Sequence, residues 1–348
     1  MKARPPRPGA PPGTEAATPV AVLGAGSWGT ALAIQLARSG RPTRLWARDP
    51  QQSQAMVRER SNPRYLPGGA FPASLSVSAG LAEAVEGAAD VLLVVPSHAF
   101  RALLVELAPL LAPSMRLAWA TKGLEPESGQ LPHQVAREIL GTGRSLAVLS
   151  GPTFAREVGA GLPTAMTIAS TDEDFANALA ADLSAENFRA YTSTDIVGVE
   201  VGGAVKNVLA VGAGLSDGLG FGANTRVALI TRGLVEMTRF GLALGARRET
   251  FMGLAGLGDL VLTCTDDQSR NRRFGLALAA GHTVEEALRA IGQSVEGYPA
   301  ARAVHRAAQR LKVEMPLCEC VYRVLHEQLP ARAAVRALMS RPIRPELE

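Results

Sequence analysis

Hydrophobic residues along this chain follow two patterns, one on each side of residue 195. Between residues 20 and 191, short apolar runs alternate with stretches in which apolar residues recur every three or four positions. The short runs are typical of strands and the longer stretches of helices, so this half predicts a largely parallel, doubly wound sheet. Beyond residue 195 the strand-like runs stop and glycine-rich helical patterns continue. We therefore expect an α/β domain over residues 19–194 and an all-helical domain over residues 195–348.

The predicted strands begin with the run at residue 20 and continue at residues 43–46, 75–78, 91–95, 116–120, 146–149, 164–169 and 188–191. Helices in the first half are predicted at residues 50–60, 99–111, 131–140 and 173–183. In the second half they are predicted at residues 197–215, 225–244, 272–280, 300–311, 317–327 and 331–339. Thr283 and Glu286 have the spacing of a capping box at the start of one more helix. Residues 62–69 contain two prolines and are expected to form a loop.

A glycine-rich turn connects the first predicted strand to the helix after it. Gly24, Gly26 and Gly29 have the Gly-x-Gly-x-x-Gly spacing of dinucleotide-binding folds. The first glycine permits a tight turn, the second lets the backbone approach a pyrophosphate, and the third lets the helix pack closely on the sheet. N–H groups at the start of the helix would then face the phosphates. A turn without a ligand is the alternative, but the flanking strand and helix favour a Rossmann-like nucleotide domain.

Composition narrows the class of protein further. The chain has 348 residues, of which 47% are hydrophobic and 20% charged, as in a soluble globular protein. No run of about eighteen uncharged apolar residues is present, so no membrane span is predicted. The Pro-rich residues 1–18 resemble neither a signal peptide nor a strand and are expected to be a disordered extension. Three cysteines without a Cys-x-x-Cys motif favour a reducing, cytoplasmic location.

The net charge of +4 does not by itself indicate a nucleic-acid partner. Basic residues are scattered, and their densest cluster, at residues 269–273, has a single aromatic neighbour, so a small anionic ligand explains it better. The histidines and cysteines have no metal-ligand spacing, and no Gly-x-Ser-x-Gly nucleophile motif is present. We therefore expect a small-molecule site without a metal. A homodimer is compatible with the sequence.

Lysine is rare in this chain. The 36 basic residues include only four lysines, which are Lys2, Lys122, Lys206 and Lys312. Because arginine serves elsewhere, a lysine within a glycine-rich motif suggests that an amine able to lose its proton is required, and both Lys122 and Lys206 fit. Gly203 shares a helix face with Lys206 and would leave room for a ligand. Alternatively, the glycines form a helix-packing seam and the lysine is a surface charge.

Two further segments of the second half carry candidate chemistry. Asp259 lies in the glycine-rich residues 253–260, which we expect to form a flexible turn. Ser269 suits a helix N-cap, and this places Arg270 and Asn271 in a first turn, where N–H groups and the helix dipole attract anions. The Arg270 guanidinium adds a two-pronged contact for a phosphate. The alternative for this segment is an ordinary capped and solvated helix end.

Taken together, these motifs resemble one family, the bacterial NAD(P)-dependent glycerol-3-phosphate dehydrogenases. The resemblance runs in unbroken order from about residue 20 to residue 315. It is carried by GAGSWGTALA, NPRYLPG, VPSH, TKGLE, LSGPTFAREV, VEVGGAVKNVLAVGAG, DGLGFGANTRVALITRG, TFMGLAGLGDLVLTCT and SRNRRFG. It implies reversible reduction of dihydroxyacetone phosphate to sn-glycerol 3-phosphate, which supplies glycerophospholipid synthesis.

The resemblance also implies roles for individual residues. Lys206 is similar to the proton-transfer residue of the family, and Lys122 to a residue that contacts both cofactor and substrate. The implied cofactor contacts are Gly24, Gly26, Ser27, Trp28, Gly29, Arg48, Lys122, Ala155, Arg270 and Glu296. The implied substrate contacts are Lys122, Gly151, Thr153, Lys206, Asp259, Ser269, Arg270 and Asn271. Ser294 stands where the family often has an apolar residue, so only Glu296 of this segment is carried over.

The cofactor is expected to be NADP(H) or NAD(H), with NADP(H) favoured. NAD-specific folds place an acid at the end of the second strand. We align that position with Ala47, which leaves Arg48 beside the ribose, although a shift of two residues would put Asp49 there. Two other functions stay open: a related dehydrogenase acting on a hydroxy acid or a hydroxyacyl thioester, and a nucleotide-sensing regulator without turnover. The anion cluster at residues 269–273 favours a phosphorylated substrate.

Overall fold

The computed structural model describes residues 18–340 and residue 342, so the predicted extension lies outside the described residues except for Thr18. An eight-stranded sheet organises the first half, in the order β10-β9-β8-β7-β6-β1-β2-β5. A separate ribbon contains β3 and β4. The strands are β1 (Val20–Leu23), β2 (Thr43–Trp46), β3 (Ser61–Asn62), β4 (Leu66–Ala70), β5 (Leu75–Ser78), β6 (Asp90–Leu93), β7 (Arg116–Trp119), β8 (Leu146–Ser150), β9 (Thr164–Ser170) and β10 (Phe188–Ser193).

The sheet is parallel except where β8 meets β9, which confirms the predicted doubly wound, largely parallel sheet. Its register aligns four strand ends, because Leu23 lies opposite both Trp46 and Leu93, and Leu93 lies opposite Trp119. The loops that follow β1, β2, β6 and β7 therefore leave from one edge. In open α/β sheets this carboxyl edge is where ligands bind.

Helices cover both faces of this sheet and bury two apolar clusters against it. They are α1 (Ser27–Arg38), α2 (Pro50–Glu59), α3 (Leu81–Val85), α4 (Ser97–Leu107), α5 (Pro132–Leu140), α6 (Ala155–Ala160) and α7 (Glu173–Leu183). A short 3₁₀ turn, Ala108–Leu110, extends α4. The short helices α3 and α6 were not predicted, because a helix of five or six residues carries too little periodicity to distinguish it from a loop.

The predicted loop at residues 62–69 is wrong in part, since β3 and β4 form an antiparallel ribbon there. Buried Asn62 donates through Nδ2 to the carbonyl of Ala25 and to Oγ1 of Thr30, at 3.0 and 2.8 Å. Leu66 is also buried, and it packs against Gly159 of α6. These contacts come from distant parts of the chain, and they order a segment whose prolines favour a loop.

Helices make up the described part of the second half, as predicted. They are α8 (Ile196–Gly218), α9 (Gly222–Ala243), α10 (Arg248–Phe251), α11 (Asp259–Thr265), α12 (Arg270–Ala279), α13 (Val284–Ile291), α14 (Gly297–Leu311), α15 (Pro316–His326) and α16 (Ala331–Met339). The capping box of α13 is confirmed, with the Thr283 N–H donating to Glu286 Oε2 at 2.8 Å and the Glu286 N–H donating to Thr283 Oγ1 at 3.2 Å.

The long helix α8 is central to the second half and also packs on the first. Ile196 and Val199, in its first turn, belong to the apolar cluster that contains Trp119 of β7. From Val201 onward its apolar residues belong to the core of the helical half. Within the described residues, α8 is the one helix long and apolar enough to span a membrane, but 94% of that apolar window is buried. Such extensive burial is typical of a helix in the core of a folded domain.

Candidate active site

The three glycines of the β1–α1 turn have different surroundings. Gly24 has a φ of +119°, and a Cβ there would lie 2.4 Å from the Val94 carbonyl oxygen. A Cβ on Gly29 would lie 1.8 Å from the carbonyl oxygen of Gly24. These two glycines are required by backbone conformation and close packing. Gly26 has no atom within 4 Å of its Cβ position, so it faces open space at the carboxyl edge of the sheet.

The start of α1 is suited to an anionic ligand. Its N-cap is Gly26, so no side chain caps its first N–H groups, and its first turn contains no acidic residue. The carbonyl oxygen of Ala25 accepts hydrogen bonds from Gln52 Nε2 and Asn62 Nδ2, at 2.7 and 3.0 Å. Trp28 places a buried Nε1 without a hydrogen-bond partner in the same turn. Uncapped N–H groups beside open space fit the pyrophosphate of a dinucleotide.

Arg48 and Asp49 both follow β2, which pairs with β1 beside the glycine turn. Ala47, aligned with the acid of NAD-specific folds, is buried. Arg48 is exposed. Asp49 is the N-cap of α2, and its Oδ1 accepts the Gln51 N–H at 2.9 Å. Of the two candidates for the ribose, Asp49 therefore already has a structural partner.

The strongest polar cluster of the candidate site joins Lys122, Lys206 and Asp259. Lys122 Nζ lies 2.7 Å from Asp259 Oδ2, and Lys206 Nζ lies 2.6 Å from Asp259 Oδ1. Lys122 follows β7, Lys206 is in α8 and Asp259 begins α11, so three elements meet here. The Asp259 side chain is 1% exposed and that of Lys206 8%, while Lys122 retains 14%. Two ammonium groups thus share one buried carboxylate.

This packing changes the acidity of the groups. Burial and the charge of Lys122 lower the pKa of Lys206, Asp259 opposes both effects, and the net result is a pKa of about 8. Burial alone would raise the pKa of Asp259, but Lys122 and Lys206 together hold that pKa below its usual value. Near neutral pH the cluster therefore contains a carboxylate, and Lys206 can exchange a proton.

The predicted flexible turn around Asp259 is wrong. Leu254–Gly258 forms a π-helical turn that leads directly into α11, and Asp259 is the first residue of that helix. Gly202 of α8 allows this turn to approach, because a Cβ on Gly202 would lie 2.3 Å from the Ala255 carbonyl oxygen. A Cβ on Gly203 would instead lie 3.4 Å from Lys122 Cγ and 3.3 Å from Ser150 Oγ. Gly202 is thus a packing contact, as the alternative interpretation expected, but Lys206 is buried, so the surface charge of that interpretation is wrong.

Two polar residues that the sequence reasoning missed support this cluster. Lys206 Nζ also donates to Thr263 Oγ1 at 2.9 Å, and Thr263 lies one helical turn after Asp259. Asn207 Nδ2 donates to the Lys122 carbonyl at 3.3 Å, and its Oδ1 accepts from Asn271 Nδ2 at 2.8 Å. The i to i+4 spacing of Asp259 and Thr263 could have indicated the first. Asn207 is adjacent to Lys206 but carried no comparable signal.

The SGPTFA segment reaches the same cluster from β8. Gly151 accepts at its carbonyl from Lys122 Nζ at 3.2 Å, and the Thr153 hydroxyl donates to that carbonyl at 3.2 Å. Ala155 begins α6. Ser150 has a buried hydroxyl without a hydrogen-bond partner. The structure therefore brings Gly151 and Thr153 together with the lysine cluster, and Ala155 follows within the same segment.

The predicted anion site begins α12. Ser269 is the N-cap, as expected, with its Oγ accepting the Arg272 N–H at 3.2 Å. Asn271 is buried and joins this helix to α8 through Asn207 and to α14 through the Gly297 N–H, at 2.9 Å. Arg270 is half-buried, and its Nη1 lies 3.5 Å from Gln293 Oε1. This helix start is therefore integrated with the lysine cluster, unlike an ordinary solvated helix end.

Glu296 connects the two halves of the chain. Its Oε2 accepts from the Ser97 N–H and hydroxyl, at 3.3 and 3.1 Å, and Ser97 begins α4 at the carboxyl edge of the sheet. Its Oε1 accepts from the Ser294 hydroxyl at 2.7 Å. The departure from the family pattern at Ser294 thus adds a hydrogen bond to Glu296. Among residues 18–340, no cluster of three His, Cys, Asp or Glu side chains could hold a metal.

Comparison with known proteins agrees with this arrangement. The model of the NAD-dependent glycerol-3-phosphate dehydrogenase N-terminus matches residues 19–176, and the model of its C-terminus matches residues 195–336. The chain belongs to this family. The resemblance drawn from the sequence motifs is therefore confirmed.

Individual members of the family are similar over almost their whole length. Glycerol-3-phosphate dehydrogenase [NAD(P)+] from Aeromonas hydrophila is 58% identical over 323 residues, which are 92% of this chain and 97% of that protein. The enzyme of the same name from Tolumonas auensis is 57% identical over 94% of this chain and 98% of its own. A crystal structure of glycerol-3-phosphate dehydrogenase from Coxiella burnetii has 49% identity and a TM-score of 0.91, covering 93% of this chain and 99% of that one.

Proposed function

We propose that this chain catalyses the reversible, NAD(P)H-dependent reduction of dihydroxyacetone phosphate to sn-glycerol 3-phosphate. The observation that carries the proposal is the buried cluster of Lys122, Asp259 and Lys206, which lies where the carboxyl edge of the nucleotide-binding sheet meets the helical half. Membership in the NAD-dependent glycerol-3-phosphate dehydrogenase family supports it.

Lys206 is our candidate for the proton donor. A bound nicotinamide would supply hydride, and this chain's own residues would then have to stabilise and protonate the negative charge on the ketone oxygen. The lowered pKa of Lys206, about 8, suits an amine that gives up a proton near neutral pH and takes it back in the oxidation direction. Lys122 adds a second positive charge beside the same oxygen and orients substrate and cofactor together.

Asp259 has two roles in this account. Its carboxylate holds both ammonium groups, which fixes their positions before substrate arrives. It is also our candidate acceptor for a substrate hydroxyl, next to the Gly151 carbonyl that accepts from both Lys122 and Thr153. Preorganised charges of this kind avoid reorganisation at the moment of reaction.

The phosphate of the substrate is assigned to the start of α12. Ser269, Arg270 and Asn271 lie in or next to its first turn, where N–H groups and the helix dipole favour an anion. A hydrogen bond from Asn271 to Asn207, the neighbour of Lys206, connects this turn to α8. The substrate would therefore extend from the lysine cluster at its ketone to Arg270 at its phosphate.

The dinucleotide is assigned to the carboxyl edge of the sheet. Gly24, Gly26, Ser27, Trp28 and Gly29 would hold the pyrophosphate, since the turn is open at Gly26 and α1 is uncapped. The other assigned contacts are Arg48, Lys122, Ala155, Arg270 and Glu296. We favour NADP(H) over NAD(H), because exposed Arg48 suits a 2′-phosphate and Asp49 already caps α2.

We place the enzyme in the cytoplasm, without a nucleic-acid partner or a membrane span, and with glycerophospholipid synthesis as the consumer of its product. The small number of cysteines, three without a Cys-x-x-Cys motif, supports this placement. Three statements remain predictions: the domain boundary at residue 195, a homodimeric state and the disordered extension.

One assay tests the function directly. Oxidation of NADPH and of NADH, followed by absorbance, should require dihydroxyacetone phosphate. A panel of 2-oxo acids and 3-oxoacyl thioesters should give rates at least about a hundredfold lower, because they lack the phosphate that the α12 site binds. Faster turnover of one of those compounds would favour a different dehydrogenase. Cofactor binding without oxidation by any substrate would favour a nucleotide-sensing regulator.

A further inference from the structure

A second buried carboxylate, Glu200, lies in α8 six residues before Lys206. Its side chain is 1% exposed. Oε1 accepts from Trp119 Nε1 at 3.1 Å and from the His133 N–H at 2.8 Å, and Oε2 contacts His133 Nδ1. Trp119 ends β7 and His133 is in α5, so all three contacts come from the nucleotide-binding half. Glu200 itself belongs to the central helix of the other half.

Burying the Glu200 carboxylate costs free energy of desolvation. Burial raises the pKa of Glu200, with His133 and Trp119 opposing the effect, so the charged form is costly to hold here. Ile196 and Val199 already pack α8 against the cluster around Trp119. An apolar residue at position 200 would extend that contact without the desolvation cost. With apolar packing alone, however, α8 could slide along the end of β7. The three directional contacts of Glu200 are instead made in one relative position of the two elements.

The position of α8 on β7, which Glu200 fixes, also determines where Lys206 lies relative to Lys122. Lys122 follows Trp119 by three residues, and Lys206 follows Glu200 by six, which is about 9 Å along a helix. We infer that Glu200 is a positioning residue that sets the separation of Lys122 and Lys206 by fixing α8 on the end of β7. This inference rests on the proposed function of that cluster.

The direction in which the pKa of Lys206 would change depends on which charged groups move together with α8. Asp259 and Cys264 belong to α11, which packs on α8, and Asp259 and Thr263 contact Lys206 directly. Of the charged groups that shift the pKa of Lys206, Lys122 is the one from the nucleotide-binding half. If α8 shifts on β7, Lys206 keeps Asp259 and loses the nearby charge of Lys122. That charge lowers the pKa of Lys206, so loosening the contact raises this pKa.

The chain offers a matched control in Glu236 of α9. It is as buried as Glu200, at 4% exposure for each residue, and it accepts the N–H groups of Leu317 and Cys318, at 2.7 and 3.2 Å. All of these contacts lie within the helical half. Glu236→Leu therefore removes a buried carboxylate acceptor, as Glu200→Leu does, without touching the junction of α8 and β7.

The test compares both variants with the wild-type chain. For Glu200→Leu we expect kcat to fall about 10- to 100-fold. The alkaline limb of its pH profile should move to higher pH, and NADPH affinity, from fluorescence titration, should stay within about twofold of wild type. Glu236→Leu should lower the melting temperature but keep kcat within about twofold and leave the limb in place. Equal losses of kcat in the two variants, or an unmoved limb in Glu200→Leu, would overturn the inference.

Trp119→Phe provides a second variant in case Glu200→Leu does not fold. It removes one donor and keeps an aromatic ring, and we expect a kcat about three- to tenfold lower, with the limb again moved to higher pH. A wild-type kcat and limb in this variant would overturn the inference while the proposed function stands. A wild-type chain that does not oxidise NADPH with dihydroxyacetone phosphate would overturn the proposed function, and the inference with it.

Discussion

The glycine turn and the lysine cluster lie at the same junction but are built in opposite ways. The turn is made of backbone from one continuous segment, and it is open at Gly26. The cluster is made of side chains from three separate elements, and Asp259 at its centre is 1% exposed. The turn offers N–H groups to a ligand that brings its own charge. The cluster contains its own charges, already paired with one another.

We propose that this difference separates cofactor binding from catalysis within the site. A pyrophosphate needs donors and space, and a strand followed by a helix supplies both from local sequence. A proton donor near neutral pH needs a buried amine and neighbouring charges, which only the folded chain can bring together. Changes in the turn should therefore affect cofactor affinity, whereas changes in the cluster should affect turnover.

The largest expected effect is that of Lys206. Lys206→Arg keeps the charge, but a guanidinium with a pKa above about 12 is a very poor proton donor at neutral pH. We expect turnover with dihydroxyacetone phosphate to fall at least about a hundredfold, while NADPH binding measured by fluorescence stays near normal. Lys312→Arg, the same exchange at the end of α14, is the control. If Lys206→Arg keeps most of its turnover, Lys206 is a fixed charge and Lys122 becomes the better candidate for the acid.

Arg270 should give the next largest effect. Arg270→Ala removes a charge-assisted contact worth roughly 1.5–3 kcal/mol, so kcat/KM for dihydroxyacetone phosphate should fall about ten- to hundredfold. Unphosphorylated dihydroxyacetone, at saturating NADPH, separates a role at the phosphate from a role at the cofactor. Equal losses with the two ketones would show that the phosphate assignment is wrong. Arg273→Ala, at an exposed position in the same helix turn, is the matched variant.

Gly26→Ala tests the open side of the glycine turn. Its backbone, with a φ of −76°, suits alanine, and the new Cβ would meet no protein atom within 4 Å. The melting temperature should therefore change little, but the Kd for NADPH should rise about tenfold, because the methyl group occupies the approach of the pyrophosphate. Gly143→Ala, whose Cβ would also meet nothing within 4 Å, is the control. Unchanged affinity in Gly26→Ala would place the pyrophosphate elsewhere.

The smallest effect we predict concerns cofactor preference. Arg48→Ala should raise the KM for NADPH several-fold more than that for NADH, because only NADPH carries the 2′-phosphate. Arg58→Ala, an exposed arginine of the adjacent helix α2, should change neither value. Equal increases for both cofactors would refute the assignment of Arg48 to the 2′-phosphate.

The parts of the molecule that were predictable from sequence are those encoded locally. The glycine turn and the Ser269 cap each depend on residues within one short segment, and the strands of the sheet are themselves short apolar runs that alternate with helical patterns, and the structure has all three features. The surroundings of Asp259 were not predictable, because its partners Lys206 and Lys122 lie 53 and 137 residues away. The β3–β4 ribbon depends in the same way on contacts between Asn62 and the glycine turn.

The central claim is that burial and Lys122 make Lys206 an acid near neutral pH. Its lowered pKa of about 8 means that the ammonium form, which reduction requires, is lost as pH rises through that value. The direct measurement is kcat/KM for dihydroxyacetone phosphate, with NADPH saturating, from pH 6 to pH 10, because kcat/KM reports the acid of the enzyme before this substrate binds. We predict a plateau below about pH 8 and a fall of roughly tenfold per pH unit above it. A kcat/KM that stays level to pH 10 would contradict the account.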